Sequence, residues 1–321
     1  MKSIKTLISD NPFLKILIII SIFTSIIAFV PVAGFIFLIF FPQLIFFYSI
    51  ILGKAKTAVA LLIPVLLIVL VAQGVPLNTP YLLILLMGIV GLAVAALAAH
   101  QASIEKTVIF PAFIIIGAIC AYFIYAGFAL SMNPWHLVQQ FIAQTIEHNI
   151  NLYDQLPLNR EDINFIKENK NMLISIFNSI FPSLLIAAST FLVWINVLMG
   201  KDILNRAAIT FPKFAELSRW KAPPFIIWIF ICSGGLLFFP NEQIRFFSLN
   251  ILIITCFIYL MQGFAIIGFL FQSKKVPIFF RYLFYFLIAV QQFLMIPIAV
   301  AGLFDIWVDF RRFFQKNQTA A

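Results

Sequence analysis

Charge is what this chain has least of: Asp, Glu, Lys and Arg make up 10% of its 321 residues, against about 25% in an ordinary soluble domain. With 63% of the residues hydrophobic, there is too little polar surface to cover a water-soluble fold of this length. Cysteine is almost as scarce. Cys120, Cys232 and Cys256 each lie in an apolar run without CxxC spacing, which excludes a disulfide framework or thiolate metal site and leaves them expected as small buried residues. Histidine is limited to His100, His136 and His148, and His100 is expected on the opposite side of the membrane from the other two, so no single zinc site forms. HExxH, GxSxG and Walker sequences are missing, and no acid lies near the middle of a confident span, which argues against a carboxylate proton relay. No catalytic residue, cofactor or metal is therefore expected, and the chain does not read as an enzyme.

What is present is long apolar stretches, at about 14–30, 32–51, 57–73, 80–99, 107–131, 171–199, 223–239, 246–271 and 279–303. A spanning helix needs about 20 mostly apolar residues, and these runs are apolar on nearly every face, whereas barrel strands would alternate. The expectation is an all-α, polytopic helical membrane protein with eight or nine transmembrane segments, in contact with the lipid bilayer. Residues 1–199 read as a six-segment helical domain with an outward-facing amphipathic insertion at 132–170. Residues 200–321 read as a basic cytoplasmic loop, two or three further segments and an amphipathic tail. No cleavable leader is expected, because the first apolar run ends at Val30-Pro31 without a small-residue cleavage site.

The net charge of +9 is spread in short clusters between apolar runs, so it points to topology and not to nucleic acid. Cations concentrate on one side of the alternating loops. With the amino terminus cytoplasmic, that side holds Lys2, Lys5, Lys15, Lys54, Lys56, Lys106, Lys201, Arg206, Lys213, Arg219, Lys221, Lys274, Lys275 and Arg281, while the outer side holds Arg160, Lys167, Lys170 and Arg245. Nine crossings would leave Arg311, Arg312 and Lys316 outside. A last segment kinked or broken at Pro297 and re-entrant would instead return the tail to the cytoplasm.

Within the 132–170 insertion, Asn133-Pro134 and Asn159 followed by acids are helix starts, and Leu137, Phe141, Thr145 and Ile146 mark an amphipathic face. Polar residues inside spans are the default functional candidates. Asn171, Ser175, Asn178, Ser179, Pro182 and Ser183 recur at three- and four-residue spacing on one helix face, which fits either a polar wall of a solute cavity or small-polar helix packing. Ser175, Asn178, Ser179, Gln262 and Gln291 are the candidate ligand residues, with Gln262 and either Gln291 or Gln292 also able to satisfy one another across helices. Gly91, Ala95 and Ala99 have small-xxx-small spacing for close helix approach. The tail at 302–316 should lie along the interface, Asp305, Asp309, Arg312 and Lys316 on one face and Phe304, Trp307, Phe310 and Phe314 on another. Arg219, Trp220, Asp305, Trp307, Asp309 and Arg311 are the candidate partner-binding residues.

Phe181-Pro182-Ser183, the run Leu217-Ser218-Arg219-Trp220-Lys221-Ala222-Pro223, Ser248-Leu249-Asn250, Gln262-Gly263 and Gly302-Leu303-Phe304-Asp305-Ile306-Trp307 with Asp309-Phe310-Arg311 resemble the YybS-like family of bacterial membrane proteins, a domain of unknown function. The first six segments, with the corner at Pro31 to Gly34 and Leu52-Gly53-Lys54, are similar in a looser way to the six-helix substrate-binding components of energy-coupling-factor vitamin transporters. Helix one departs from their alanine-xxx-alanine docking pattern. The leading reading is a small-solute binding or transport component of a bacterial inner membrane, with an outward-facing pocket lined by the 171–199 segment and covered by the 132–170 region. The competing reading is a non-catalytic scaffold that recruits a membrane or cytoplasmic protein partner.

Overall fold

The computed structural model describes residues 12–71, 80–155, 159–206 and 217–312. All of the regular structure among them is helical. The helices are α1 (Pro12–Phe29), α2 (Pro31–Leu52), α3 (Lys54–Val71), α4 (Pro80–Ala99), α5 (Ile104–Leu130), α6 (Pro134–Asp154), α7 (Arg160–Glu168), α8 (Lys170–Arg206), α9 (Ile226–Leu236), α10 (Glu242–Ser273), α11 (Ile278–Val290) and α12 (Met295–Val308). Lys2, Lys5, Lys213, Lys316 and Phe314 lie outside the described residues, as does the middle of the basic loop.

Six helices are long and apolar enough to cross a membrane, and a seventh crossing is counted if α11 with the 292–308 stretch is one span bent by 107°. The polytopic helical class stands; among the described residues six or seven crossings are counted by length and composition, and the expected eight or nine are not confirmed. Three segments account for the difference, the first being the run at 57–73, whose helix α3 is not among the six and whose last two residues lie outside the described ones. The run at 223–239 forms only the 11 residues of α9, about half a bilayer at 1.5 Å per residue. The run at 279–303 breaks at Gln291, whose extended backbone (φ −107°, ψ 81°) ends α11. Pro297, the expected breaker, falls instead in the first turn of α12, where a helix N–H has no partner to lose.

Local chemistry sets the helix ends. Pro31 opens α2 after an extended Val30, so the expected tight corner joins two full-length helices. Asn133 and Asn159 cap α6 and α7 as their sequences indicate, accepting from Trp135 N–H at 2.8 Å and Glu161 N–H at 3.2 Å. Asn241 caps α10 through Gln243 and Ile244 N–H. The apolar face of α6 is set by Val138, Ile142 and Ile150; Phe141, expected there, is exposed, so the face lies one residue, about 100° of helix, from the expected stripe.

Contacts divide the chain into two compact units, one made of Met1–Tyr125 with Ala188–Phe214 and one of Ala126–Ala187 with Ala215–Ala321. The sequence division at 199/200 falls inside α8, which supplies both. In the first unit, α1 packs on α2 and α3, and α2 packs on α4. Gly91 lets α4 approach the Pro42 carbonyl and Ile45 of α2, and Gly200 of α8 meets the Phe46 ring, so Gly91 and the buried Ala95 of the small-residue stripe serve packing inside this chain, while Ala99 is exposed. In the second unit, α10 packs on α9 and α12. There Gly263 faces the Ile298 backbone and Gly302 faces the Tyr259 carbonyl, two glycines permitting backbone contact from opposite sides of one crossing.

Large apolar side chains cover the outside, with Phe128 at 82% exposure. In water such a surface would drive aggregation; in lipid it costs nothing. The three cysteines are free but exposed, not buried, which the same solvent explains, since a thiol on a lipid-facing helix side behaves as a small apolar group.

Candidate functional site

The second unit holds two polar clusters. The first is a cleft of about 370 Å³ lined by Trp135, Gln139, Asn171, Ile174, Ser175, Asn178, Ser179 and Phe246. Trp135 and Gln139 come from the first turns of α6, Asn171 to Ser179 from α8 and Phe246 from α10. Trp135 and Phe246 meet edge to face at 6.1 Å. Ser179 Oγ donates to Ser175 O at 2.9 Å. The side-chain oxygen of Asn178 is buried with no hydrogen-bond partner. A buried acceptor without a donor costs about 1–3 kcal/mol, and the Tyr259 hydroxyl and Ser49 Oγ are buried in the same way.

Below the cleft, Pro182 has no N–H to close the helix ladder of α8. Asn250 of α10 repairs the adjoining rung: its Oδ1 accepts from Ser183 N–H at 2.9 Å and its Nδ2 donates to Ser179 O at 2.8 Å, while also donating to Phe246 O. Ser179 and Ser183 are the pair an unbroken helix would join. The first unit contains the same device. Asn196 of α8 accepts from Gln43 N–H at 3.0 Å and donates to Ile39 O at 3.0 Å and Leu192 O, clasping α2 across Pro42. In both places the clasped helix reads Phe-Pro followed by a polar residue, and the clasp is an asparagine that also bonds its own helix four residues back. Sequence reasoning saw the carbonyl freed by Pro182 and the polar Asn250 but did not join them, and it missed the pairing of Pro42 with Asn196. The available signal was a proline inside a span matched by an asparagine inside another.

The second cluster lies where α10 meets α12. Asp305 is 1% exposed and Arg311 6%, and they form an ion pair at 2.8 Å. Asp309 takes a left-handed conformation (φ 45°), tolerated by a short polar side chain, and this turn brings Arg311 back onto the helix it follows. Arg311 also donates to Ser218 O and Trp220 O, at 2.9 and 2.7 Å. Asp305 further accepts from Phe310 N–H and from Gln262 Nε2, and Gln262 Oε1 accepts from Ala222 N–H at 3.0 Å. Ala222, Ile226, Ile227 and Tyr259 form the apolar core beside it, with Trp220 packed against them. The Tyr259 hydroxyl there is buried without a partner.

This arrangement relocates several candidates. Gln262 pairs with Ala222 and Asp305, not with Gln291 or Gln292, which are exposed at the break after α11. Gln262 therefore belongs to the second cluster and not beside Ser175, Asn178 and Ser179. Asp305 and Arg311 are interior and not on an exposed polar face. Asp309 pairs with Lys221 at 2.9 Å, and that hydrogen bond, the largest influence on it, holds its carboxyl below the usual range. Burial pulls the Arg311 guanidinium below its ordinary value against the opposing pull of Asp305. Trp307 is exposed beside Phe304, and Arg219 is exposed on the short 3-10 turn Leu217–Arg219. Among the described residues, no group of three or more His, Cys, Asp or Glu is placed to hold a metal.

The motifs that carried the first family resemblance thus meet in one unit: 217–223, Gln262-Gly263 and 302–311 in the second cluster, Phe181-Pro182-Ser183 and Asn250 at the clasp. No curated protein and no solved structure matches the chain, and the likeness to energy-coupling-factor components finds no counterpart in these comparisons. The family described as Predicted membrane protein (DUF2232) matches residues 18–306, in keeping with the YybS-like resemblance, and the chain belongs to that family.

Proposed function

We propose that the protein binds a small solute in the membrane, as a binding or transport component, at the cleft between α6, α8 and α10. The observation that carries this is a cleft of about 370 Å³ lined by Asn171, Ser175, Asn178 and Ser179, a volume within the range of small-molecule sites. Two aromatic side chains and several neutral polar ones line it, the usual composition of such sites. The role is binding and not catalysis. The charge bias of the loops supports an amino terminus in the cytoplasm of a bacterium and a place in its inner membrane, which sets the 132–170 insertion and the cleft beside it on the outer face. Native mass spectrometry of the gently purified protein tests the reading. A small molecule retained by the unaltered chain and lost in Asn178→Ala and Ser175→Ala supports it; retention unchanged by both substitutions defeats it.

A scaffold role is the second reading, favoured by the exposed Phe304–Trp307 pair beside exposed Arg219 and Lys221. Here Trp307, Arg219 and Asp309 are the residues within a partner's reach, with Asp305 and Arg311 holding the surface in shape. A protein subunit that co-purifies with the chain and is lost in Trp307→Ala, while the cleft variants leave it bound, would favour this reading over the first.

A further inference from the structure

Independently of the solute reading, we infer that α11 and α12 form a re-entrant hairpin that enters and leaves the membrane by the face where α10 ends. The end of α12 and the residues that follow it therefore lie on that face, beside the 217–221 turn.

Contacts with α10 run down that helix and come back. Just after the connecting turn, Arg281 Nη2 donates to Phe271 O at 3.1 Å, and the Phe284 ring meets Phe271 at 5.4 Å. Tyr285 then lies 6.3 Å, ring to ring, from Phe264. Beyond the break, Ile298 faces Gly263 and Gly302 faces the Tyr259 carbonyl. There the path reverses. Asp305 accepts from Gln262 at 2.9 Å, Arg311 donates to Ser218 O at 2.9 Å, and the Ser218 hydroxyl donates to Gln272 at 3.0 Å, next to where the descent began. From Phe271 to Tyr259 is about 18 Å of helix at 1.5 Å per residue, little more than half of a hydrocarbon core about 30 Å thick.

The helices fit such a path. α11 has 13 residues and α12 has 14, about 20 Å each, so neither crosses alone. The chain turns through 107° between them, and a bend beyond a right angle sends the second helix back toward the side from which the first came. At the tip the backbone stays paired: Gln291 N–H donates to Leu287 O at 2.7 Å and Leu294 N–H to Gln291 O at 3.0 Å. A reversal inside a bilayer needs this pairing, because lipid offers no hydrogen bonds.

The hairpin also brings Arg312 to the face of Arg219, Lys274 and Lys275, whereas a crossing would leave it with Arg245 on the cation-poor side. Phe246, on the wall of the cleft, stands near the opposite end of α10. A protein partner held by Trp307 and Arg219 thus approaches from the membrane face opposite the cleft.

The test labels single cysteines in a chain carrying Cys120→Ala, Cys232→Ala and Cys256→Ala, using a membrane-impermeant maleimide on intact and on opened cells. Glu242→Cys marks the start of α10, Lys274→Cys its end and Arg312→Cys the stretch after α12; all three positions are exposed. Glu242→Cys should label in intact cells at least tenfold more than the other two, and opening the cells should raise Lys274→Cys and Arg312→Cys alike by at least tenfold. Inverting the whole chain would exchange the two classes and still keep Arg312 with Lys274. Trypsin applied to the unaltered chain in sealed vesicles of either orientation reads the same sidedness without substitution, cutting after Arg312 and after Lys274 or Lys275 from one side. Arg312 reached from the side opposite Lys274 in either measurement overturns the hairpin, and so does Arg312 reached equally from both sides.

Discussion

The two polar clusters of the second unit use the same few residue types to opposite ends. Around Asp305 and Arg311 the donors and acceptors close on one another, tying 218–222, α10 and α12 into one body. Around Asn178 neutral polar side chains line a cleft, and the Asn178 oxygen is buried without a partner. A buried charge that meets its partner at 2.8 Å with its other hydrogen bonds filled is architecture. Polar side chains that line a cleft of about 370 Å³ can meet a solute. In a membrane protein, therefore, a polar residue inside a span points to function less by its presence than by whether its hydrogen bonds are already spoken for.

The hardest blow to this contrast is struck at Arg311. Arg311→Met leaves the Asp305 carboxylate buried without its counter-charge, which costs about 3–5 kcal/mol, and the thermal transition in detergent should fall further than for any other substitution considered below. The double variant Asp305→Leu with Arg311→Met should recover more than half of the loss, because it removes both charges together. If Arg311→Met melts like the unaltered protein, the closed cluster is not architecture and its likeness to a site must be reopened.

The asparagine clasps come next in size. Asn250→Leu strands Ser183 N–H and Ser179 O, and Asn196→Leu strands Gln43 N–H and Ile39 O. An ordinary interhelical hydrogen bond in a membrane averages about 0.6 kcal/mol, but each clasp fills gaps that a proline prevents its helix from filling, so about 1–3 kcal/mol is expected for either. Thermal melting should show similar losses for the two. Solute retention should separate them, falling for Asn250→Leu, whose clasp carries Ser179 of the cleft, and holding for Asn196→Leu.

How much of this was legible beforehand follows from the range over which each signal acts. Helix positions were readable because hydropathy and caps are local: α4 begins and ends where its apolar run does, and Asn133 and Asn159 cap as their neighbours indicate. The cleft-forming face of α8 was readable from spacing alone. Partnership was not. Whether Gln262 bonds Gln291 or Asp305 depends on how α10 crosses α12, which Gly263 and Gly302 decide by allowing backbone contact. The break at Gln291 was hidden for a related reason: Pro297 carries the obvious signal, yet a proline is harmless in a first turn. Asp305 read as exposed because helical spacing treats the tail as one straight helix, and the left-handed turn at Asp309 ends that helix.

Asn178 sharpens the contrast from the other side. Because its buried Oδ1 has no partner to lose, Asn178→Leu should leave stability unchanged or raise it by up to about 1–3 kcal/mol, while solute retention falls at least tenfold. A large loss of stability without loss of solute would place Asn178 with the closed cluster instead.

The smallest effect lies at the rim of the closed cluster, where Asp309 meets Lys221. Its folded-state carboxyl is held below the ordinary carboxylate value, chiefly by the hydrogen bond from Lys221. The pair's stabilisation is therefore fully present above pH about 4 and is lost as the pH falls through the lower folded-state value. Both side chains are nearly half exposed, at 46% and 43%, so screening keeps the contribution to about 0–1 kcal/mol and salt reduces it further. Lys221→Met should lower the melting temperature slightly at pH 7 and low salt, and the gap to the unaltered protein should close both below pH 3 and at molar salt. A gap that persists under both conditions would mean that Lys221 acts through packing of its alkyl chain, and the ion pair at the rim would then count for nothing beside the buried one it flanks.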